Sequence, residues 1–254
     1  EADLVTFYEM KQSSLKSDGF VFLSNVPLKL KNKLEQNGIA LKNWDISIKS
    51  GIKTGFNEAY IIDEKKRNEL IKQDAKNSEV IKPYLRGRDV GRYGYSFQNL
   101  WLLNIHNNPP IKIQDFPSIK EHLEQFINKL ENRSDKGESA YHLRNCAFLD
   151  DFSKEKIIWI ELSDNAKFTL DTDSHFVDMT VFFITGENLR YLLALLNSKL
   201  VFWYFNLICA QSGVGTNRWK KTYVEQIPIP KISEVEQKPF IIYVDEILES
   251  KQKL

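Results

Sequence analysis

The sequence predicts an α+β domain, with an irregular, mostly antiparallel or mixed β-sheet, flanking helices and a C-terminal helix. Residues 157–160 and 180–184 are short runs of β-branched and aromatic residues, which are typical of central strands. Residues 119–130 and 187–210 instead repeat apolar side chains at the spacing of one helix face. The chain of 254 residues has no internal repeat or low-complexity tract. A second lobe is compatible with this length.

The N-terminal half alternates between helix and strand signals. A helix is predicted from Pro27, because the leucines after it are spaced for one face. Residues 44–49 alternate apolar and polar side chains, which predicts a half-buried strand. Further along the chain we expect a strand over residues 56–62, a helix over 64–74, a proline turn at Pro83 and a strand over 100–103.

The C-terminal half is predicted to be richer in helix. Asn197 to Lys199 interrupts the helical pattern of residues 187–210, which predicts two helices joined by a tight corner. Residues 238–254 form a last helix that packs or pairs through one apolar face, made of Phe240, Ile241, Val244, Ile247 and Leu248.

The composition limits the class of protein but does not indicate a function. The formal net charge is only +1, so an affinity for nucleic acid would have to come from local clusters of Lys and Arg. Two cysteines, Cys146 and Cys209, favour a reducing, cytoplasmic compartment over a disulfide framework. The most apolar segment, residues 191–210, is broken by Asn and Lys and is not expected to span a membrane.

Three basic segments are candidates for DNA contact. The first, residues 51–57, is a glycine-bounded loop after a predicted strand, in which Lys53 suits a phosphate and Asn57 a base edge. A plain turn between strands is the alternative for such a loop, and by itself the more frequent one. We include Thr54, between these residues, in the candidate set.

The second segment, residues 82–92, contains the densest cluster of cations. Three of them are arginines, whose planar guanidinium groups can bind guanine or phosphate with two hydrogen bonds. A solvated surface loop is an equally good interpretation of the charges alone. The cluster consists of Lys82, Arg86, Arg88 and Arg92.

The third segment, residues 212–221, combines two glycines with Arg218, Lys220 and Lys221 and has no acid. Such a loop can follow a phosphate backbone. Trp219 lies between the cations and is more readily explained as a core anchor than as a base-stacking residue.

Other motifs carry no chemistry in this interpretation. Asn108-Pro109-Pro110-Ile111 resembles the Asn-Pro-Pro-aromatic turn of adenine methyltransferases, but Ile111 cannot stack on a base. Glu64-x-Lys66 lies in a helical pattern without the strand and acidic partner of a nuclease site. The four histidines show no metal-ligand spacing. We therefore expect no catalytic or metal site and no cofactor in this chain.

In chain order, several motifs resemble the TaqI-like C-terminal specificity domain of adenine-N6 DNA methyltransferases and type II restriction-modification enzymes. They begin near Phe22 and continue through Trp44-Asp45-Ile46, the 51–57 loop, residues 84–89, 116–123, 133–137 and 141–144, Trp159 and the ending Ile227-Pro228-Ile229-Pro230-Lys231. The resemblance implies sequence-specific recognition of double-stranded DNA, without catalysis by this chain. The DNA-binding set is then Lys53, Thr54, Asn57, Arg86, Arg88, Arg92, Arg144, Asn145, Arg218, Lys220 and Lys221.

The resemblance also implies a division of labour in the parent protein. Residues 1–20 would be a linker from an upstream catalytic domain that uses S-adenosylmethionine, residues 21–235 the recognition domain and residues 236–254 a C-terminal helix. Phosphates would be held by Lys53, Arg92, Lys220 and Lys221, and bases read by Asn57, Arg86, Arg88, Arg144 and Arg218. A specificity subunit like those of type I systems and an independent nuclease or other enzyme remain alternatives, as does fusion of the parent to an endonuclease.

Overall fold

The computed structural model describes residues 23–134, 136–210 and 215–253. The predicted linker over residues 1–20, Phe22, Asp135 and the loop residues 211–214 therefore lie outside the described residues. The described helices are α1 (Asn25–Asn37), α2 (Asn57–Tyr60), α3 (Glu64–Gln73), α4 (Pro117–Glu124), α5 (Ile127–Glu131), α6 (Leu189–Leu196), α7 (Lys199–Ile208), α8 (Lys221–Val224) and α9 (Glu234–Gln252).

The strands are short and form several small sheets. They are β1 (Ile39–Ala40), β2 (Ile46–Ser50), β3 (Ile61–Asp63), β4 (Ile81–Leu85), β5 (Val90–Gly91), β6 (Gly94–Tyr95), β7 (Leu100–Leu103), β8 (Lys156–Ile160), β9 (Leu162–Ser163), β10 (Phe168–Asp171), β11 (Phe176–Val177), β12 (Val181–Gly186), β13 (Asn217–Arg218) and β14 (Pro228–Ile229). Turns of 3-10 helix join some of them. This mixture of helices and small mixed sheets confirms the predicted α+β class.

The first of the two larger sheets is antiparallel, in the order β10-β8-β12-β2. Its inner strands, β8 and β12, are the two runs that the sequence predicts as central, and this prediction is confirmed. Trp159 pairs with Phe168 on one side and with Phe182 on the other, so large aromatic side chains line the middle of the sheet.

The second larger sheet is mixed, in the order β11-β4-β7-β3, with β11 parallel to β4. Two local predictions are wrong here. Pro83 does not form a turn but lies inside β4, opposite Trp101 of β7. The strand expected over residues 56–62 is mostly helix α2, followed by the short β3.

Each of these sheets contributes to its own hydrophobic cluster. One cluster is built on the second sheet and includes Tyr84, Leu102 and Ile119. The other packs one face of the first sheet against α6 and α7 and includes Trp159, Leu192 and Trp219. Burial of apolar side chains on both clusters is the main force that fixes the loops between the sheets.

The predicted helices are confirmed with changed limits. The 119–130 helix is two helices, α4 and α5, separated at Gln125 and Phe126. The corner at Asn197 is present, and α6 and α7 meet there at 72°. Within the described residues, no single helix has the length and apolar composition to cross a membrane. The bent pair of α6 and α7 reaches that length and composition when the two helices are taken together. The last helix, α9, starts at Glu234, so the predicted 235/236 boundary falls inside it.

A buried ion pair joins two strands of the first sheet. Lys156 of β8 and Asp171 of β10 are paired in the ladder, and both side chains are 0% exposed, with Nζ and Oδ2 2.6 Å apart. Asp171 Oδ1 also lies 2.8 Å from Nδ1 of His175. Burial lowers the pKa of Lys156, against the attraction of Asp171.

Candidate nucleic-acid interface

The turn that connects β11 of the second sheet to β12 of the first is the centre of the candidate site. We call residues 178–181 the junction turn. The amide of Val181 donates to the carbonyl of Asp178 at 2.8 Å, and Asp178 Oδ1 accepts from both the amide and the hydroxyl of Thr180 at 2.8 Å. Tyr84 donates its hydroxyl to Asp178 Oδ2 at 2.8 Å. These bonds fix the turn's backbone.

The hydroxyl of Tyr84 remains a hydrogen-bond donor to this turn at neutral pH. Burial is the main cause that raises its pKa far above the usual value for tyrosine, and the neighbouring carboxylate of Asp178 adds to the effect. The hydroxyl therefore stays protonated at neutral pH, and the Asp178 carboxylate is engaged within the protein.

The first basic segment is attached directly to the junction turn. The amide of Gly51 donates to the carbonyl of Val181 at 2.7 Å, and the amide of Ile52 donates to Val177 at 2.8 Å. The next residue, Lys53, has an exposed side chain. A side chain at Gly51 has no room, because its Cβ would lie 2.0 Å from the carbonyl oxygen of Asp178.

We expect the substitution Gly51→Ala to destabilise the protein by about 1–3 kcal/mol or more, because backbone must move to admit the methyl group. Gly94→Ala is the matched control, since the nearest atom to a Cβ there is 4.0 Å away. Chemical denaturation of the two variants measures the difference. Equal stability of both variants would contradict the close packing of loop and turn.

The second basic segment leaves the other end of the same turn. The amide of Asp178 donates to the carbonyl of Leu85, the last residue of β4, at 2.9 Å. A 3-10 turn, Gly87–Asp89, follows. Gly87 lies against Thr180, since a Cβ on it would be 2.8 Å from the threonine hydroxyl. Arg88 is thereby held beside the junction turn with its side chain exposed.

Arg86 has a different role from the predicted one. Its Nε and Nη2 donate to the two carboxylate oxygens of Asp89, both at 2.9 Å, and its amide donates to the same carboxylate. These hydrogen bonds raise the pKa of Arg86. One edge of the guanidinium is therefore occupied, and Arg86 shapes the turn that carries Arg88, while its contact with a base stays a prediction.

The third basic segment reaches the junction turn through Glu161. The amide of Glu161 donates to the carbonyl of Thr180 at 2.9 Å, and the amide of Trp219 donates to the carbonyl of Glu161 at 2.7 Å. Arg218 Nη1 and Lys220 Nζ lie 3.8 and 3.6 Å from one Glu161 carboxylate oxygen. Residues 212–214 of this segment lie outside the described residues.

Trp219 holds the third segment in place. Its side chain is 1% exposed and stacks on Phe205 with ring centroids 3.7 Å apart. Its carbonyl accepts a 2.8 Å hydrogen bond from Nε1 of Trp159. The prediction that Trp219 is a core anchor is confirmed, and the cations on either side of it are fixed to the central sheet.

The junction turn thus collects exposed and half-exposed cations from three segments that are far apart in sequence. We call this group the junction surface. Three carboxylates, those of Asp89, Glu161 and Asp178, lie among its cations. Glu161 makes only long contacts to half-exposed side chains, and such pairs contribute little and exchange readily. The junction surface comprises Lys53, Arg88, Arg218 and Lys220.

Several predicted residues lie elsewhere. Thr54 is buried, and its hydroxyl donates to Asn57 Oδ1 at 2.5 Å, so it is corrected from a DNA contact to a residue that supports the loop. Asn57 itself is exposed. Arg92 donates from Nη2 to the carbonyl of Asn197 at 2.8 Å, at the corner between α6 and α7.

The remaining predicted residues are Arg144, Asn145 and Lys221. Arg144 is half-buried and lines a depression of about 300 Å³ beside Gly55 and Arg133. Asn145 and Lys221 are exposed. Their contact with DNA stays a prediction.

The sequence analysis did not find the junction turn. Its Asp178-x-Thr180 pattern is a recognised signal for a turn closed by side-chain hydrogen bonds, and it could have been noted. Nor did charge patterns indicate Leu162 and Met179, two exposed apolar side chains beside the turn.

A cluster of acidic residues and histidine was also missed. Among the described residues, possible ligand atoms of Asp171, Asp173 and His175 lie within 4.8 Å of one another. The ion pair of Asp171 with Lys156 and its hydrogen bond with His175 account for this proximity. We assign no metal to it.

Comparison with known proteins gives the family. The family model described as the TaqI-like C-terminal specificity domain matches residues 82–229, more than half of the chain. The chain belongs to this family. The match contains the second and third basic segments, whereas the loop over residues 51–57 and the start of the resemblance near Phe22 precede it. No curated protein matches the chain.

Two solved structures share the fold of this TaqI-like specificity domain. The type IIG restriction endonuclease BpuSI superposes with a TM-score of 0.55 at 16% identity, over 86% of this chain and 28% of its own. The type IIL restriction-modification enzyme MmeI, solved in complex with DNA, superposes with a TM-score of 0.57 at 10% identity, over 84% of this chain and 29% of its own. The domain thus spans less than a third of these enzymes.

Proposed function

We propose that this TaqI-like specificity domain reads a DNA target sequence for a restriction-modification enzyme. The observation that carries the proposal is the convergence of three cationic segments on the junction turn. Phosphate contacts give a DNA-binding protein its register and orientation, while contacts to base edges give its specificity. Loops that bring both lysines and arginines to one turn can supply both kinds of contact.

The side chains of the junction surface divide by chemistry. Lys53 and Lys220 are point charges suited to phosphates, whereas Arg88 and Arg218 have the planar fork that recognises guanine in the major groove. Arg86 positions the turn that carries Arg88 through its pair with Asp89. Peripheral contacts along the duplex are assigned to Asn57, Arg92, Arg144, Asn145 and Lys221.

The finer part of the proposal concerns the parent protein. We propose that an adenine-N6 methyltransferase domain precedes this chain and that target reading helps it to extrude one adenine. S-adenosylmethionine would be held by that domain. The glycine-bounded loop here does not suit the cofactor, because the amides of Gly51 and Ile52 already donate to Val181 and Val177. Support for this arrangement comes from the two restriction-modification enzymes with the same fold.

The proposal predicts a specific dependence on salt. If the four cations predicted to hold phosphates, Lys53, Arg92, Lys220 and Lys221, each release a counterion, log K should fall against log salt with a slope of about −3.6. Binding of the protein containing this chain to a labelled duplex, measured over a salt series, gives the slope. Selection from a pool of random duplexes should also enrich one motif. A slope near zero or an unenriched pool would contradict the proposal.

A free-standing specificity subunit is a second candidate, favoured by the exposed apolar residues of the C-terminal helix. Ile242 and Tyr243 of α9 are both more than half exposed, although Val244 beside them is buried. Such a subunit would also read DNA but would recruit a separate catalytic subunit through α9. Pull-down of this protein from the source cell shows whether the methyltransferase belongs to the same chain or is a separate subunit that is recruited. Incubation of the purified chain with DNA, magnesium and S-adenosylmethionine tests for independent catalysis.

A further inference from the structure

Two large apolar side chains lie exposed among the cations of the junction surface. Met179 occupies the second position of the junction turn, and Leu162 belongs to β9; each is 48% exposed. Leu162 pairs directly with Arg218 in the β9–β13 ladder. The amide of Glu161 donates to the carbonyl of Thr180, so the backbones of their neighbours, Leu162 and Met179, lie near each other.

Packing inside the protein does not account for the position of these two side chains. The backbone at Met179 is fixed, because the carboxylate of Asp178, the residue before it, accepts hydrogen bonds from the amide and the hydroxyl of Thr180, the residue after it. A single exposed apolar residue is ordinary on any protein surface. Here two belong to neighbouring backbone segments beside the cations of the junction surface, where hydration of the charges gives them no benefit.

The major groove of DNA offers one apolar feature that matches them. Each A·T pair presents the C5-methyl group of thymine there, among hydrogen-bond donors and acceptors. Arginines donate hydrogen bonds to the acceptor atoms of bases, and an apolar patch can contact a methyl group. A surface with both side by side is complementary to a target containing thymine. The unbranched side chain of methionine can also adapt to the position of the methyl group.

We propose that Met179, supported by Leu162, contacts the C5-methyl group of a thymine in the target sequence and so contributes to specificity. This inference rests on the proposed function. Met179 would contribute discrimination between bases, and the cations around it would contribute most of the affinity.

The test uses the protein that contains this chain and the motif enriched from random duplexes. Each thymine of that motif is replaced singly by deoxyuridine, which lacks only the methyl group. At one position we expect the unmodified protein to bind the deoxyuridine duplex about fourfold more weakly, the value of one buried methyl group. The variant Met179→Ala should bind both duplexes equally.

Ile242→Ala is the matched control, because it removes an exposed apolar side chain of α9 and should keep the fourfold difference. Thermal unfolding should be unchanged in both variants, since each side chain is exposed.

The outcomes separate this inference from the function on which it rests. Failure to enrich any motif overturns both. An enriched motif without thymine, or one in which every deoxyuridine duplex binds as well as its parent, overturns the methyl contact and leaves DNA reading intact. Insensitivity to deoxyuridine combined with unstacking of a 2-aminopurine probe would show that Met179 inserts between base pairs instead. Equal loss of discrimination in the control variant would also overturn the contact.

Discussion

Replacing Asp171 by asparagine is expected to lower the free energy of unfolding by about 3–5 kcal/mol. The substitution leaves the ammonium group of Lys156 without a counter-charge in a site where both side chains are 0% exposed. Two backbone carbonyls remain for this lysine, that of Phe152 at 2.6 Å and that of Lys154 at 3.4 Å, and they cannot balance a full charge. Equilibrium denaturation in urea measures the loss.

Two further variants separate the buried pair from a general effect of charge. Asp164→Asn is the matched control, because Asp164 pairs with Lys167 at the surface and such pairs contribute little. The double variant Lys156→Met with Asp171→Leu should recover part of the stability, since it removes the buried charge together with its partner but leaves the amide and Nδ1 of His175 without their acceptor. A stability of Asp171→Asn equal to that of the control would contradict the assigned energetics.

The same pair gives the sign of a pH dependence. Burial by itself would raise the pKa of Asp171, but the hydrogen bond from His175 and the charge of Lys156 hold it below its usual value. The contribution of Asp171 to stability is therefore present above the unfolded-state pKa of about 3.9, and it is lost as pH falls through the lower folded-state pKa. Asp171→Asn should flatten the acid limb of the stability profile.

The triple substitution of Arg88, Arg218 and Lys220 by glutamine is expected to reduce affinity for the enriched motif by about a thousandfold or more, at 1–3 kcal/mol for each contact. The slope of log K against log salt should become shallower by about 0.9, because Lys220 is the residue of the three assigned to a phosphate and its counterion is no longer released. Stability should change little, since the side chains are exposed or half-exposed. A salt series of binding measurements gives both quantities.

An equal change of net charge elsewhere is the control for this triple variant. Lys33 of α1 and Lys65 and Lys72 of α3 are exposed and belong to helices outside the three basic segments. Their replacement by glutamine should leave the affinity for the motif and the slope close to those of the unmodified protein. If both triple variants lost affinity equally, binding would depend on the total charge, and the junction surface would have no special role.

Elements with strong local signals could be predicted from the sequence. The runs in β8 and β12 are rich in Ile, Phe and Trp, and such runs fit the centre of a sheet. The corner at Asn197 was also indicated, and Ser198 caps α7 by accepting the amide of Val201. Here the local preference and the tertiary structure agree.

Elements whose conformation depends on distant partners could not be predicted. Pro83 is a turn signal by itself, but pairing with β7 and β11 on either side keeps the chain around it extended. Residues 56–62 have the composition of a strand, yet Asn57 begins the short helix α2. Tertiary packing overrides local preference at both places.

For the candidate site, the sequence indicated the cations but not their arrangement. Charge clusters identified the three basic segments, because Lys and Arg can be counted. Their meeting at the junction turn depends on backbone hydrogen bonds between residues as far apart as Gly51 and Val181. The pairing of Arg86 with Asp89 is local and could have been anticipated, whereas the burial of Thr54 depends on Arg133, whose Nη1 donates to its carbonyl.

The junction turn is also a short covalent link between the two larger sheets, since it runs from Val177 at the end of β11 to Val181 at the start of β12. A small tilt of one sheet against the other would therefore alter the spacing of the side chains of the junction surface. Exchanging the exposed side chains around the turn should change which bases are preferred. Repacking the core between the sheets should instead weaken binding to every target sequence to a similar extent. Variation in target sequence among related domains is then expected in exposed side chains, over a conserved geometry of the backbone.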